Sequence, residues 1–165
     1  MARPDARRMT NVAPPEGTTL FLIGMRVTKP WRVRAWVGVF AAMARILGHL
    51  RANRGAGMLS HRLYLGSSAM VVSYWSSADD LRRFAAAADA PHLPAWRWFT
   101  RNFADTNSVG IWHETYVIGE HETISSGMGA WGLAEAVGAE PIGSGQATAA
   151  ARLAHNGCPA ARRVP

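Results

Sequence analysis

The chain is short of cysteine and of lysine, with only Cys158 and Lys29. One cysteine excludes a disulfide framework and a cysteine-based metal site, and it fits a reducing cytoplasm. Long apolar runs are missing too. The first 16 residues are basic without an apolar segment, and the longest apolar stretch of the first expected helix is stopped by Arg45, well short of a bilayer crossing. The expected setting is therefore cytoplasmic, with no membrane partner. Conventional cofactor signatures are also absent. Gly55-Ala-Gly57 and Gly127-Met-Gly129 lack the third glycine of a dinucleotide fingerprint. His113-Glu114 is followed at the fifth position by Val117, in a strand-like setting, which rules out an HExxH zinc site. There is no GxSxG, phosphate loop or EF-hand, and no metal is expected.

What is present is arginine. The formal charge of +7 resides between Gly17 and Ile118, where the basic residues outnumber the acidic ones, and the two ends cancel. Net charge bears on association and not on fold. The arginines at 32, 34, 45, 51, 54, 82, 83, 97 and 101 spread along expected helices without an aromatic RNP-type run, so nucleic acid is not an expected partner.

Residues 1–17, with three prolines and several arginines, read as a disordered arm, and residues 139–165, rich in Gly, Ser, Ala and Arg, as a disordered tail. Between them, 18–138 form the expected domain. Residues 18–27 read as a strand, and a helix opens at Trp31. Its expected inner stripe is Trp36, Phe40, Met43, Leu47 and Leu50. Residues 61–65 and 70–75 form a hairpin about the turn Gly66-Ser67-Ser68. Ser77 caps the next helix, with Asp80 three residues on, and Pro91 and Pro94 interrupt it before an aromatic helix at 92–103. A strand at 108–118 follows. His-Glu-Thr recurs at 121–123 beyond a possible two-residue turn, and 127–137 reads as a last short helix. The order β, α, β, β, α, β predicts an α+β, ferredoxin-like subunit with an antiparallel sheet and helices on one face. The bare face calls for a second copy, so a homodimer is expected.

The strand at 108–118 carries the chemistry. Alternation places Trp112, Glu114 and Tyr116 on one face and Ile111, His113 and Thr115 on the other. A carboxylate beside Trp and Tyr reads as a pocket wall or as a solvated sheet face with cross-strand pairs. Tyr74 and Trp75 end a neighbouring strand, and His92, Trp96 and Phe99 come from the interrupted helix. Aromatic walls with few polar groups suit a planar apolar ligand. Arg26, on the first strand, is placed to neutralise Glu114 or an anionic substrate, or to remain solvated.

Several strings carry a resemblance: FLIGMR at 21–26, HRLYLG at 61–66, YWSS at 74–77, APHLPAW at 90–96 and VGIWHETY at 109–116. Together they resemble the group called "monooxygenase family protein", within the antibiotic-biosynthesis monooxygenase-like dimeric α/β barrels, over residues 18–133. The resemblance implies a dimeric α/β barrel with a pocket between sheet and helices, and a place in secondary metabolism. It implies a cofactor-independent monooxygenase (an oxidoreductase) of an aromatic or polyketide-like metabolite. His92 or His113 would be the base. Arg26, Tyr74, Trp75, Trp96, Phe99, Trp112, Glu114 and Tyr116 would bind substrate. Two alternatives stay open, a noncovalent haem enzyme with His92 or His113 as axial ligand and a non-catalytic metabolite-binding protein. The chain has MGAWGL at 128–133 where the group carries a proline-rich string, which bears on substrate choice if that segment covers the pocket.

Overall fold

The computed structural model describes residues 7–66, 68–103 and 106–156, which leaves Ser67 of the expected turn and Cys158 of the expected tail outside the described residues. In chain order the elements are β1 (Arg8–Asn11), β2 (Thr19–Val27), α1 (Val33–Ala52), β3 (Met58–Tyr64), β4 (Ala69–Trp75), α2 (Ala78–Ala86), α3 (His92–Phe103), β5 (Val109–Val117), β6 (Ser125–Ser126), α4 (Leu133–Val137), β7 (Ala139–Pro141) and α5 (Ala149–Asn156). They form two compact units. One is the continuous segment Thr19–Tyr116, and the other is built from the two ends of the chain.

In the continuous unit the strand order is β3-β4-β2-β5. β2 and β3 both pair antiparallel with β4. β5 joins the free side of β2, where the Thr28 and Lys29 amides both donate to the Ser108 carbonyl, at 3.1 and 3.3 Å. This is the expected α+β, ferredoxin-like arrangement, with the second helical connection split in two at Pro91 because proline ends one helix and opens the next. Registers sort the side chains. Phe21, Ile23 and Met25 share a face with Ser73, Val71 and Ala69, while Leu20, Leu22 and Gly24 share the other with Tyr74, Val72 and Met70. The first face is the one buried under helices. Met25 and Val109 pack there with Ala35 and Phe99, and Trp75 packs with Ile46, Leu50 and Leu81.

Of the stripe expected for α1, only Leu50 is buried. The helix buries Ala35, Ala42, Ile46 and Leu50, whereas Trp36, Phe40, Met43 and Leu47 are only half-buried. Alanines face inward at two of the four buried positions, Trp36 and Phe40 pack against the edge of the core cluster, and Met43 lines a cavity beneath the helices. Trp36 and Phe40 meet there edge to face at 6.4 Å, and the Trp36 Nε1 donates to the Pro30 carbonyl at 3.0 Å. With 20 residues and a mean hydropathy of 1.3, α1 is long and apolar enough, by composition alone, to cross a membrane.

α2 starts where the capping pattern predicts. The Ser77 Oγ accepts from the Asp80 amide at 3.0 Å and donates to the Asp80 carboxylate at 2.9 Å, to which Ser76 also donates. Gly57, at φ +92°, lies so close that a β-carbon there would stand 2.6 Å from the Asp80 Cβ.

The ends differ from expectation. Residues 8–11 form the centre of a three-stranded sheet ordered β6-β1-β7, and the segment 149–156 is a helix. The recurrent His-Glu-Thr supplies the reason. Thr123 Oγ1 donates to the Asn11 Oδ1 at 2.6 Å and accepts from the Asn11 amide at 3.1 Å, and the His121 Nε2 lies 3.0 Å from the Asn11 Nδ2. Glu122 accepts from the Arg152 Nε at 2.7 Å, and that buried arginine also donates to the carbonyls of Gln146 and Ala147. Polar side chains distant in sequence thus hold segments whose composition reads as disorder. No strand occupies 118–124, so the expected hairpin does not form. The last short helix covers Leu133–Val137 and not the whole of 127–137, where glycines at 127, 129 and 132 take positive φ.

Candidate functional site

Three short residues on three helices create a space. Ala42 of α1, Ala85 of α2 and Ala95 of α3 roof a cavity of about 310 Å³, and its floor is Phe21 and Ile23 of β2 with Ile111, His113 and Thr115 of β5. A larger residue at any of these alanines would fill the volume by ordinary core packing. The remaining wall is aliphatic and aromatic, with Val39, Met43, Ile46, Leu81, Trp96, Trp98 and Phe99. Polar groups are few: His92, His113, Thr115 and Arg82. This is the profile of a small-molecule site, an apolar body with sparse polar anchors.

The two histidines arrive from different elements. His113 is placed by alternation along β5, and its ring lies 5.8 Å from that of Phe21. His92 opens α3 directly after Pro91, and its ring lies 6.3 Å from that of Phe84, which in turn packs on Trp75 at 5.6 Å. The His92 Nδ1 is buried and has no hydrogen-bond partner. Leaving a buried polar atom unpaired costs ~1–3 kcal/mol, so this nitrogen is a place where a ligand's polar group would be stabilised. It is not bonded to backbone, as an imidazole serving only to cap a helix would be.

Of the residues picked out from sequence, His92, His113, Trp96 and Phe99 line the cavity. The others do not. Trp75, 2% exposed, belongs to the adjoining core, with its Nε1 donating to the Ser73 Oγ at 3.1 Å. Tyr74 lies on the opposite sheet face, where burial first and Tyr64 second push its phenol above the ordinary tyrosine range. Arg26 is exposed and also projects from that opposite face, by alternation from Met25.

Trp112, Glu114 and Tyr116 occupy the opposite face as well. The polar face of β5 is therefore not the cavity wall. Alternation along one strand can put only one of its two residue sets under the helices, and the set that faces them is the less polar one, with Ile111 half-buried and His113 and Thr115 exposed. Trp112 lies flat over Gly24, where a β-carbon would come within 2.6 Å of the indole. The Tyr116 hydroxyl donates to the Glu114 carboxylate at 2.6 Å, and that bond, followed by the carboxylate's charge, raises the phenol above its usual range.

Sequence reasoning missed Arg82, Thr115 and the three alanines. Thr115 was within reach, since it shares a strand face with His113. Arg82 lies next to the buried Leu81 on an amphipathic helix, and its charge hid it among surface residues. The alanines gave no sign because an inward alanine marks close packing as readily as a void.

No curated protein matches the chain. Among solved structures, an aldoxime dehydratase in complex with butyraldoxime superposes with a TM-score of 0.57 at 19% identity, covering 71% of this chain and 35% of that one. The chain thus spans about a third of that protein's length. SnoaB, a cofactor-independent oxygenase from Streptomyces nogalater, superposes with a TM-score of 0.46 at 16% identity, covering 64% of this chain and 96% of that one. At such identities likeness speaks of fold alone. A family model described as monooxygenase af470-like matches residues 18–133, a span that includes every strand and helix lining the cavity, and the chain belongs to the monooxygenase af470-like family.

Proposed function

We propose that the chain is a cofactor-independent monooxygenase of a phenolic or enolisable aromatic, polyketide-like metabolite held in the cavity under α1, α2 and α3. The observation that carries this reading is the buried, unpartnered Nδ1 of His92 in a mostly apolar wall. In the tautomer that carries its proton on Nε2, this nitrogen has a lone pair suited to take a proton from a bound hydroxyl or activated C–H. The resulting anion is a far better electron donor to dioxygen than the neutral substrate. Conversion of an activated CH2 to C=O supplies four electrons, enough to reduce one O2 to the product oxygen and one water, so no external reductant enters. The role of the apolar, aromatic wall is to hold the pair of reactants away from bulk water. His113 and Thr115 on the floor would orient the substrate's oxygens.

The substrate size follows from the cavity. About 310 Å³ lies at the lower end of the range for small-molecule sites and suits a compound of two or three fused rings better than a porphyrin. For this reason haem ligation by His92 or His113 is the weaker reading. The test is incubation of colourless protein with a panel of phenols and quinols under 18O2. One labelled oxygen per product molecule is expected. Turnover that appears only after hemin addition, together with a Soret band, would transfer the site to haem chemistry, and binding without turnover would make it a carrier.

The same reading includes a homodimer. The sheet face opposite the helices carries Leu20, Leu22, Val72, Met70 and Trp112, and Trp112 remains 37% exposed. A second copy of the chain is the cover of choice for such a face, because an isologous contact buries both copies at once.

A further inference from the structure

Arg82 is the one side chain on the cavity wall that carries a permanent charge, and no carboxylate lines the wall. Its side chain is 72% exposed while still touching the cavity, and among the helix residues of the lining the other exposed one is Trp96, at 49%. These two stand on the helix side of the cavity's opening, and the exposed His113 and Thr115 on its sheet side. The guanidinium is held from below: its Nε donates to the Ala78 carbonyl at 3.2 Å, and one terminal nitrogen meets the Asp79 carboxylate at 2.8 Å. Asp79 is itself 78% exposed and is not part of the wall. An exposed pair of this kind contributes little to stability and exchanges partners readily. A guanidinium keeps its charge at any working pH and takes carboxylates with two parallel bonds.

We propose that the substrate carries an anionic group, a carboxylate or a comparably acidic oxygen, away from its reacting ring, and that Arg82 at the cavity mouth binds this group in exchange for Asp79. The inference rests on the cavity being the binding site and names the class of molecule it takes. The ring system lies between the three alanines and the floor, with the reacting position by His92, and the anion remains at the rim. The positive excess of the segment that builds this unit steers such a molecule inward.

The test uses two fluorescent probes with one aromatic skeleton, anionic 8-anilinonaphthalene-1-sulfonate and neutral N-phenyl-1-naphthylamine, titrated into the full chain. Arg82→Gln is expected to weaken the sulfonate probe by roughly three- to tenfold and the neutral probe by less than about twofold. Asp79→Asn is expected to act in the opposite direction, tightening the sulfonate probe alone, and added salt should weaken only that probe. Ala95→Leu should weaken both alike, because it takes up part of the shared space. Equal effects of Arg82→Gln on both probes, or no gain with Asp79→Asn, would overturn the anion assignment while leaving the cavity in place. Failure of both probes to bind wild-type protein, or their full retention in Ala95→Leu, would overturn the cavity reading and this inference with it.

Discussion

At the scale of single residues, β5 shows how one strand serves two surfaces. His113 meets the cavity, while its neighbours Glu114 and Tyr116 form a hydrogen-bonded pair on the far side of the sheet. The Tyr116 phenol is raised, so its proton is held more tightly folded than unfolded. This contribution to stability is fully present below the ordinary tyrosine value of about 10 and is lost as pH rises through the folded value. Glu114→Gln removes the charge and weakens the bond. One tyrosinate should then ionise at lower pH in an ultraviolet titration, and an unchanged titration curve would deny the coupling. No such change is expected to reach the cavity, since the pair projects away from it.

At the scale of elements, α2 illustrates a signal that local chemistry makes legible. Ser77→Ala deletes the acceptor for the Asp80 amide, and a loss of about 1 kcal/mol is expected, visible as a fall of a few degrees in Tm. The Asp80 carboxyl is lowered chiefly by the hydroxyls of Ser76 and Ser77, so its contribution is present above the unfolded aspartate value near 3.9 and disappears as pH falls through the lower folded one. Acid should therefore narrow the gap between Ser77→Ala and wild type; a gap constant to pH 2 would contradict the contribution of the Ser77 hydroxyl to the Asp80 carboxylate.

The order of elements between residues 18 and 118 and the cap at Ser77 could be read from the chain because each rests on residues within one helix or strand. The inward stripe of α1 could not, because hydrophobicity alone favours Trp36 and Phe40 over Ala35 and Ala42, and the rotation of the helix against its neighbours, which its own pattern does not carry, buries the alanines. The cavity was half legible. His92, His113, Trp96 and Phe99 announce it by type, but the volume comes from Ala42, Ala85 and Ala95, whose effect depends on what faces them. The strand at residues 8–11 was invisible, since its anchors, His121 and Thr123, are more than a hundred residues away. Ala95→Leu should narrow the cavity and lower turnover. Thermal stability should be unchanged or higher, because the added methylenes enter a space and not a packed core; a strongly destabilised variant would mean that the space is smaller than described.

At the scale of the whole molecule, the proposed homodimer rests on the sheet face opposite the helices. Purified protein should elute at twice the chain mass, and Leu22→Asp, which places a charge among Leu20, Val72 and Trp112, should shift it to the monomer with its helices intact by circular dichroism. A monomeric wild type would show that this face has another role. The cavity lies on the other side of the sheet, so a monomeric variant should still bind ligand.

The central claim is that the free Nδ1 of His92 acts as the base in an apolar cavity, and the most direct measurement is the rate of dioxygen uptake beside the substrate Kd, for wild type and His92→Ala, with a phenol or quinol found active in the panel. The account predicts a fall in kcat of about 10²–10⁴-fold with Kd changed by only a few fold. Equal uptake by the two proteins, or a loss of binding that accounts for the whole loss of rate, would contradict it.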